Sequence, residues 1–434
     1  MKNVSEKMQA CFSEATMALL NRIGVLSKSS GCKAYLVGGI VRDLLLGTEN
    51  LDIDVVIEGD AIAFAEKLAH ELHGTILSHK RFGTATVTTP EYLRIDFAAA
   101  RKETYAQPAA LPTVEFALLK DDLIRRDFTV NAMAISLNEH EFGRLIDFFD
   151  GVSDLTRKAI KALHDRSFID DPTRILRAVR FEHRLNFTID THTANLIHKS
   201  IEKEIYKKIK EARLRDEIIL ILKEKEPFGI IKRLDSFKAL KMIHPHLKLN
   251  KDLNSVFGSI DRACQWYQDS SPRKRSIDKW LIYLMALFDD VSCDGILYFC
   301  NKFEFKRGER LRIMSCRHSG RKALKTLNSK RKILPSRIYH LLEPLSHEVT
   351  LLLMAVSHSD TGRGRIMEFF HKYNGMRPSA RGGDIKALGV KAGPHFAKII
   401  EKILDKKLDG VLNSREEEIA YAKKLANRRL QKSR

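Results

Sequence analysis

Alternation stops at Gly151. Up to that residue, runs rich in β-branched and small side chains recur with the two-residue period of strands, at 34–37, 53–57, 84–88, 93–97 and 132–137. Between them, residues 60–72 carry apolar side chains at helical spacing behind Asp60, a good helix cap. Beyond Gly151 the helical period takes over and persists to the end. Such a chain is expected to fold as a small α/β head of about five strands with helices, followed by an all-helical remainder. At 434 residues it exceeds one ordinary core. A break at Pro227-Phe228-Gly229 and a basic stretch, 321–332, ahead of Pro335 divide the helical part. The expected domains are a head at 1–153, a neck at 154–226, a body at 227–334 and a tail at 335–434. No repeat period or low-complexity tract emerges.

Charge narrows the partners. Lys and Arg number 75 against 55 Asp and Glu, a formal +20 with a pI near 9.6. A surface this basic attracts polyanions, nucleic acid above all. The apolar run 280–288 is far shorter than the roughly 20 residues that span a bilayer, so no membrane role is expected. The N-terminal stretch lacks the apolar core of a signal peptide. Cys11, Cys32, Cys264, Cys293, Cys300 and Cys316 form no CxxC pair and match no zinc spacing. They read as reduced, buried thiols of a cytoplasmic protein.

The chemistry is concentrated near the first strand. Gly38-Gly39 follows it and leads into a helix, 43–46; glycines admit a ligand close to the backbone, and helix starts favour phosphate. Arg42 could add a guanidinium fork to the same phosphate. Asp52-Ile53-Asp54 follows. On a strand, residues two apart share a face, so both carboxylates converge while Ile53 turns to the core. Like charges so close repel unless a cation lies between them. Oxygen ligands beside a phosphate site specify Mg²⁺. Asp96, on another expected strand, could supply a third carboxylate; a solvated strand face is the other reading. A phosphate turn, an Asp-x-Asp metal site and a nucleic-acid-seeking charge together describe nucleotidyl transfer.

Farther on, Arg174, Arg177 and Arg180 step by three along one helix face, with Asp171 ahead of Pro172 at its start. A carboxylate beside guanidinium groups offers acceptor and donors together, enough to read a base edge. Lys207, Lys208, Lys210, Arg213 and Arg215 could follow an RNA backbone, or form an ordinary solvated helix face. Near the end, Gly382-Gly383-Asp384 and the run from Leu388 through Lys391 to Pro394 suggest a helix, a glycine turn and a helix. The turn's amides could bind phosphate, and a plain helix cap explains the glycines almost as well.

These stretches resemble the class II tRNA nucleotidyltransferase and bacterial poly(A) polymerase superfamily. Gly38-Gly39-x-x-Arg42-Asp43 with Asp52-x-Asp54 is similar to its first motif, Arg125 to Met133 to its second, Leu145 to Gly151 to its third and Asp170 to Phe181 to its fourth. The fourth departs from the usual pattern at Asp170, where the family carries Glu, and keeps Asp171. The resemblance implies that Gly38, Gly39 and Arg42 bind the triphosphate, and that Asp52 and Asp54 hold metal. It implies that Arg126, Asp127 and Asn131 lie near the ribose, that Asp171 and Arg174 meet the base edge, and that Arg177 and Arg180 support base and phosphates. It implies tRNA as partner, with ATP and, for a full CCA-adding enzyme, CTP. The wording at 109–115, at 171–174 and at 407–410 is most similar to A-adding specialists; a full CCA-adding enzyme comes next, then a poly(A) polymerase or CC-adding enzyme. A non-catalytic RNA-binding protein is the reading from another class, against which the intact acid pair stands.

Overall fold

The computed structural model describes residues 2–48, 52–80, 83–110, 112–390 and 393–430. The chain forms two compact units, Met1–Ile243 and His244–Arg434.

A seven-stranded sheet organises the first unit. Its strands are β1 (Lys33–Val37), β2 (Ile53–Glu58), β3 (Thr75–His79), β4 (Thr84–Thr88), β5 (Arg94–Ala99), β8 (Met133–Ser136) and β9 (Leu145–Asp147). Four described strands lie outside it: β6 (Arg101–Thr104) and β7 (Thr113–Phe116) pair as one ribbon, and β10 (Ala159–Ile160) and β11 (Thr188–Ile189) pair as another. Across the sheet the order is β3-β4-β5-β2-β1-β8-β9, with β2 and β5 parallel and every other pair antiparallel. The five strands expected from alternation are the five inner ones. The two added at the edges carry little pattern: every residue of β3 is exposed, and β9 has only three residues. An edge strand buries less, so its sequence is less constrained.

Register positions the chemistry. The parallel pairing of β2 with β5 sets Asp54 opposite Asp96 and Val55 opposite Phe97. One face is covered by the helix Ala61–Glu71, where the Asp60 carboxylate accepts bonds from the Ile62 and Ala63 amides at 3.0 Å. Its Phe64 ring lies 5.6 Å from Phe97. Elsewhere Tyr35, Val37, Val56, Ala132 and Ala134 join Leu119 and Leu123 in a common core. Each large side chain buried there contributes about 1.5–3 kcal/mol.

The helix Thr173–Leu185 ends at Asn186 in left-handed geometry, and Glu211–Lys223 and Pro227–Ser236 pack against it. Pro227 serves as a first helical residue, where its missing N–H costs nothing.

The described part of the second unit is helical. The apolar run lies in Lys279–Leu287, whose residues from Trp280 onward are all buried, and no described helix is long and apolar enough to cross a membrane. The basic stretch expected as a break is mostly helix: Arg321–Leu327 continues from Arg307–Ser315 through a wide turn at Cys316–Gly320. Helices Gly382–Ala387 and Pro394–Leu408 flank the C-terminal turn, with Gly389 at φ +81°. Lys391 lies outside the described residues. All six cysteines are free, but only Cys300 is buried: contrary to expectation, Cys32, Cys264 and Cys316 are partly exposed, and Cys11 and Cys293, each at the end of a helix, are exposed.

Candidate active site

The site begins where β1 ends. Gly38 adopts φ +80°, and a β-carbon there would lie 3.1 Å from Arg126 Nη1 and 3.5 Å from Asp54 Oδ2. Glycine is therefore favoured by conformation, and a side chain would also crowd the Arg126 guanidinium. The helix Gly39–Leu46 starts at this turn, four residues earlier than expected, with the unpaired amides of a helix start. Arg42, on its first turn, is only 3% exposed. Its Nε and Nη2 bond Asp43 at 2.8 and 2.9 Å, and Nη1 donates to Asn131 Oδ1 at 2.6 Å. Asp43 and Asn131 orient the fork expected to meet phosphate, and Arg42 lines one cavity with Gly38 and Gly39.

Asp52 precedes β2 and Asp54 lies on it, with Ile53 buried between them. Both aspartates line a cavity of about 730 Å³ shared with Gly38, Gly39 and Arg126. Asp54 faces this open space, yet surrounding protein atoms strip enough water to push its pKa up to about 6; Arg126 opposes the rise, while Asp96 and Asp52 add to it. Asp96 itself does not line the cavity. It accepts from Thr86 Oγ1 at 2.5 Å and pairs with Arg94 at 3.1 Å, so it acts on Asp54 through charge. Among the described residues no three His, Cys, Asp or Glu side chains form a ready metal cage. The open pair suits a hard divalent ion completed by water and substrate phosphates.

A second layer holds the arginines. Asp122 is fully buried and takes both Arg125 and Arg126, with Arg126 Nη2 at 3.0 Å. Burial alone would raise its pKa, but the two guanidinium groups hold it below the usual carboxylate range. Glu103, on β6, accepts from Arg101 at 3.0 Å, Arg125 at 3.1 Å and the Tyr105 hydroxyl at 2.8 Å. Asp127 accepts from Asn131 at 3.0 Å and from Arg177 at 2.7 Å. Arg177 continues to Glu217 at 3.0 Å, and Glu217 to Arg180 at 3.2 Å. Asp122, Glu103 and Glu217 escaped sequence reasoning because each sits far along the chain from the motif it supports or outside it.

The fourth stretch converges as expected on one helix face. Asp171 Oδ1 accepts from the Thr173 amide at 3.1 Å and its hydroxyl at 2.6 Å, at the start of Thr173–Leu185. Its Oδ2 takes Arg213 at 2.6 Å. Arg174 donates to Ser167 Oγ at 2.8 Å and to the Arg125 carbonyl at 2.5 Å. Asp171, Arg174, Arg177 and Arg180 all line the same cavity. Arg42, Arg177 and Arg180 approach the Phe181 ring at 5.3, 5.4 and 5.0 Å from its centre.

The expected basic cluster divides. Arg213 turns inward to the cavity, a correction to its expected place on an RNA-tracking surface. Lys207 pairs with Glu204 and Arg215 with Asp216, while Lys208 and Lys210 are exposed.

Residues 34–161 match the family described as the poly A polymerase head domain, and 186–250 match the probable RNA and SrmB-binding site of polymerase A. An A-adding tRNA nucleotidyltransferase of Geobacter sulfurreducens is 38% identical over 95% of this chain and 47% of its own length. The chain thus spans about half the length of the first curated relatives it matches. A solved structure described as a CCA-adding enzyme, apo form II, superposes with TM-score 0.81 at 34% identity, covering 96% of this chain and 98% of that one. The Thermotoga maritima CCA-adding enzyme complexed with tRNA gives 0.76 at 32% identity, over 97% and 98%.

Proposed function

Because the chain belongs to the tRNA nucleotidyltransferase and poly(A) polymerase family, we propose that it adds nucleotides to the 3′ end of tRNA, specifically the terminal adenosine of CCA. One observation carries the reading: the Asp52–Asp54 pair, the Gly38-Gly39 turn and the Asp171–Arg174 pair share a single cavity. Metal grip, phosphate cradle and base edge therefore lie within reach of one nucleoside triphosphate.

Asp52 and Asp54 would hold Mg²⁺, which supplies activation of the attacking hydroxyl and charge relief on the departing pyrophosphate. The Gly39 amide and its neighbours at the helix start bind phosphate oxygens. Arg126, steadied by Asp122, faces the same oxygens from across the turn. Asp127 and Asn131 border the ribose position and fix each other. Asp171 offers an acceptor and Arg174 donors to the base edge, so selection needs no template. Arg177 and Arg180, tied through Glu217, keep that face rigid.

The adenosine-adding reading is supported by likeness to an A-adding relative over 95% of this chain and 47% of that relative, and by the similar wording at 109–115 and 171–174. Solved CCA-adding relatives favour complete CCA addition as the second reading. The basic residues Lys208 and Lys210 and the 335–434 tail would engage the tRNA phosphates, and the cytoplasm is the proposed compartment.

The deciding experiment supplies tRNAs ending before the first C, after both C residues and after the terminal A, each with labelled ATP or CTP alone. Incorporation of ATP only onto the CC-ended tRNA is the expected result. CTP uptake on the shortest tRNA would make the enzyme CCA- or CC-adding; no uptake on any would overturn the reading. Asp171→Ala and Arg174→Ala are expected to lower ATP-over-CTP preference by about 10- to 100-fold, as loss of base-reading hydrogen bonds does. Wild-type preference in both variants would remove base reading from this pair.

A further inference from the structure

Two aromatic rings line the cavity, Tyr105 and Phe181. Phe181 is spoken for, with three guanidinium groups near its ring and Phe128 edge-on at 6.0 Å. Tyr105 differs. Among the described residues its ring has no recorded aromatic or cation partner, although it is half-buried in the wall. It stands just beyond β6, one residue after its last position, Thr104.

Its position is held rigidly. The hydroxyl donates to Glu103 Oε2 at 2.8 Å, Glu103 accepts from Arg125 at 3.1 Å, and the Arg125 carbonyl accepts from Arg174 at 2.5 Å. A chain of hydrogen bonds thus runs from the Tyr105 hydroxyl through Glu103 and Arg125 to Arg174. Burial first, then the Glu103 charge, keeps the phenol protonated, and Arg174 and Asp171 both lie near enough to act on it. A protonated hydroxyl remains a donor to Glu103 at every pH the enzyme meets.

We propose that Tyr105 is a base-stacking residue: its open ring forms the wall against which a purine base lies while Asp171 and Arg174 meet its edge. This rests on the nucleotidyl-transfer reading and adds a selecting contact to it. A flat ring rewards the larger π-face, so the stack favours adenine over cytosine. Hydrogen bonds at the edge then read a base already held in plane.

The test uses the full chain with CC-ended tRNA and measures ATP incorporation and its inhibition by CTP for Tyr105→Ala and Tyr105→Phe. Removing a base-stacking ring costs about 5- to 100-fold in affinity. Tyr105→Ala is therefore expected to raise the ATP KM about tenfold, with a smaller rise in the CTP inhibition constant and a smaller loss in kcat. Tyr105→Phe keeps the ring but loses its Glu103 anchor, and should fall between wild type and alanine. Equilibrium binding of a non-hydrolysable ATP analogue separates lost stacking from misfolding, since Tyr105→Phe retains affinity only if the ring carries it. An unchanged ATP KM in Tyr105→Ala, a loss confined to kcat, or equal damage from both variants would overturn the proposal. Absence of incorporation by the wild-type protein would instead overturn the activity on which it depends.

Discussion

Asp54→Asn is expected to reduce nucleotide incorporation by about a thousandfold, in line with the loss of a charged group that stabilises a transition state, while leaving tRNA affinity nearly unchanged. The same variant should be more stable than the wild type when no divalent ion is present. Asp54 has a folded pKa of about 6, well above an unfolded carboxylate near 3.9. The folded state therefore keeps a proton that the unfolded state releases, and stability falls as pH rises through roughly 4 to 6. Above that window the penalty is fully present. After allowance for screening by cavity water it is of the order of 1 kcal/mol. Asparagine removes it. Thermal melts of the metal-free proteins should favour the variant at pH 7.5 and converge near pH 4. Added Mg²⁺ should raise the wild-type melting temperature and leave the variant's in place. A variant that turns over normally would end the proposed metal role.

Asp122→Ala should produce the largest loss of stability, about 3 kcal/mol, because it leaves two guanidinium groups without their shared buried partner. Here the linkage runs the other way. The folded pKa lies below the unfolded one, so the stabilisation is present at neutral pH and is lost as pH falls through the folded value. Urea midpoints of wild type and variant should differ at pH 7 and approach each other in acid. The nucleotide KM should rise as well, since Arg126 loses its brace at the Gly38 turn. Equal midpoints at pH 7 would mean that Arg125 and Arg126 recover all they lose through water and Glu103.

Local features were legible in the sequence and long-range ones were not. The turn at Gly38, the Asp52/Asp54 alternation and the three-residue stepping of Arg174, Arg177 and Arg180 are contained within short windows whose period states the geometry. The inner strands could be read for the same reason. The edges β3 and β9 could not, because exposure or brevity erases their pattern. Spacing alone sets Arg42 near the phosphate turn, but not its buried bonds to neighbouring Asp43 and distant Asn131. Arg213 read as part of a basic surface because its neighbours are lysines, yet the helix it sits on turns it toward Asp171. Glu217, Glu103 and Tyr105 acquire meaning only once the chain has brought them beside the motifs.

The ring of Phe181 under three guanidinium groups, each tied to a carboxylate or an amide, has a thermodynamic consequence. Long arginine side chains normally surrender much rotational freedom when they grip a ligand. In this pocket that freedom is given up during folding, before any nucleotide arrives. Recognition is then preorganised, and a mismatched base finds walls that do not adapt to it. On the proposed function, fidelity without a template is thereby a property of stiffness, and conditions that soften the pocket should cause misincorporation before they stop turnover.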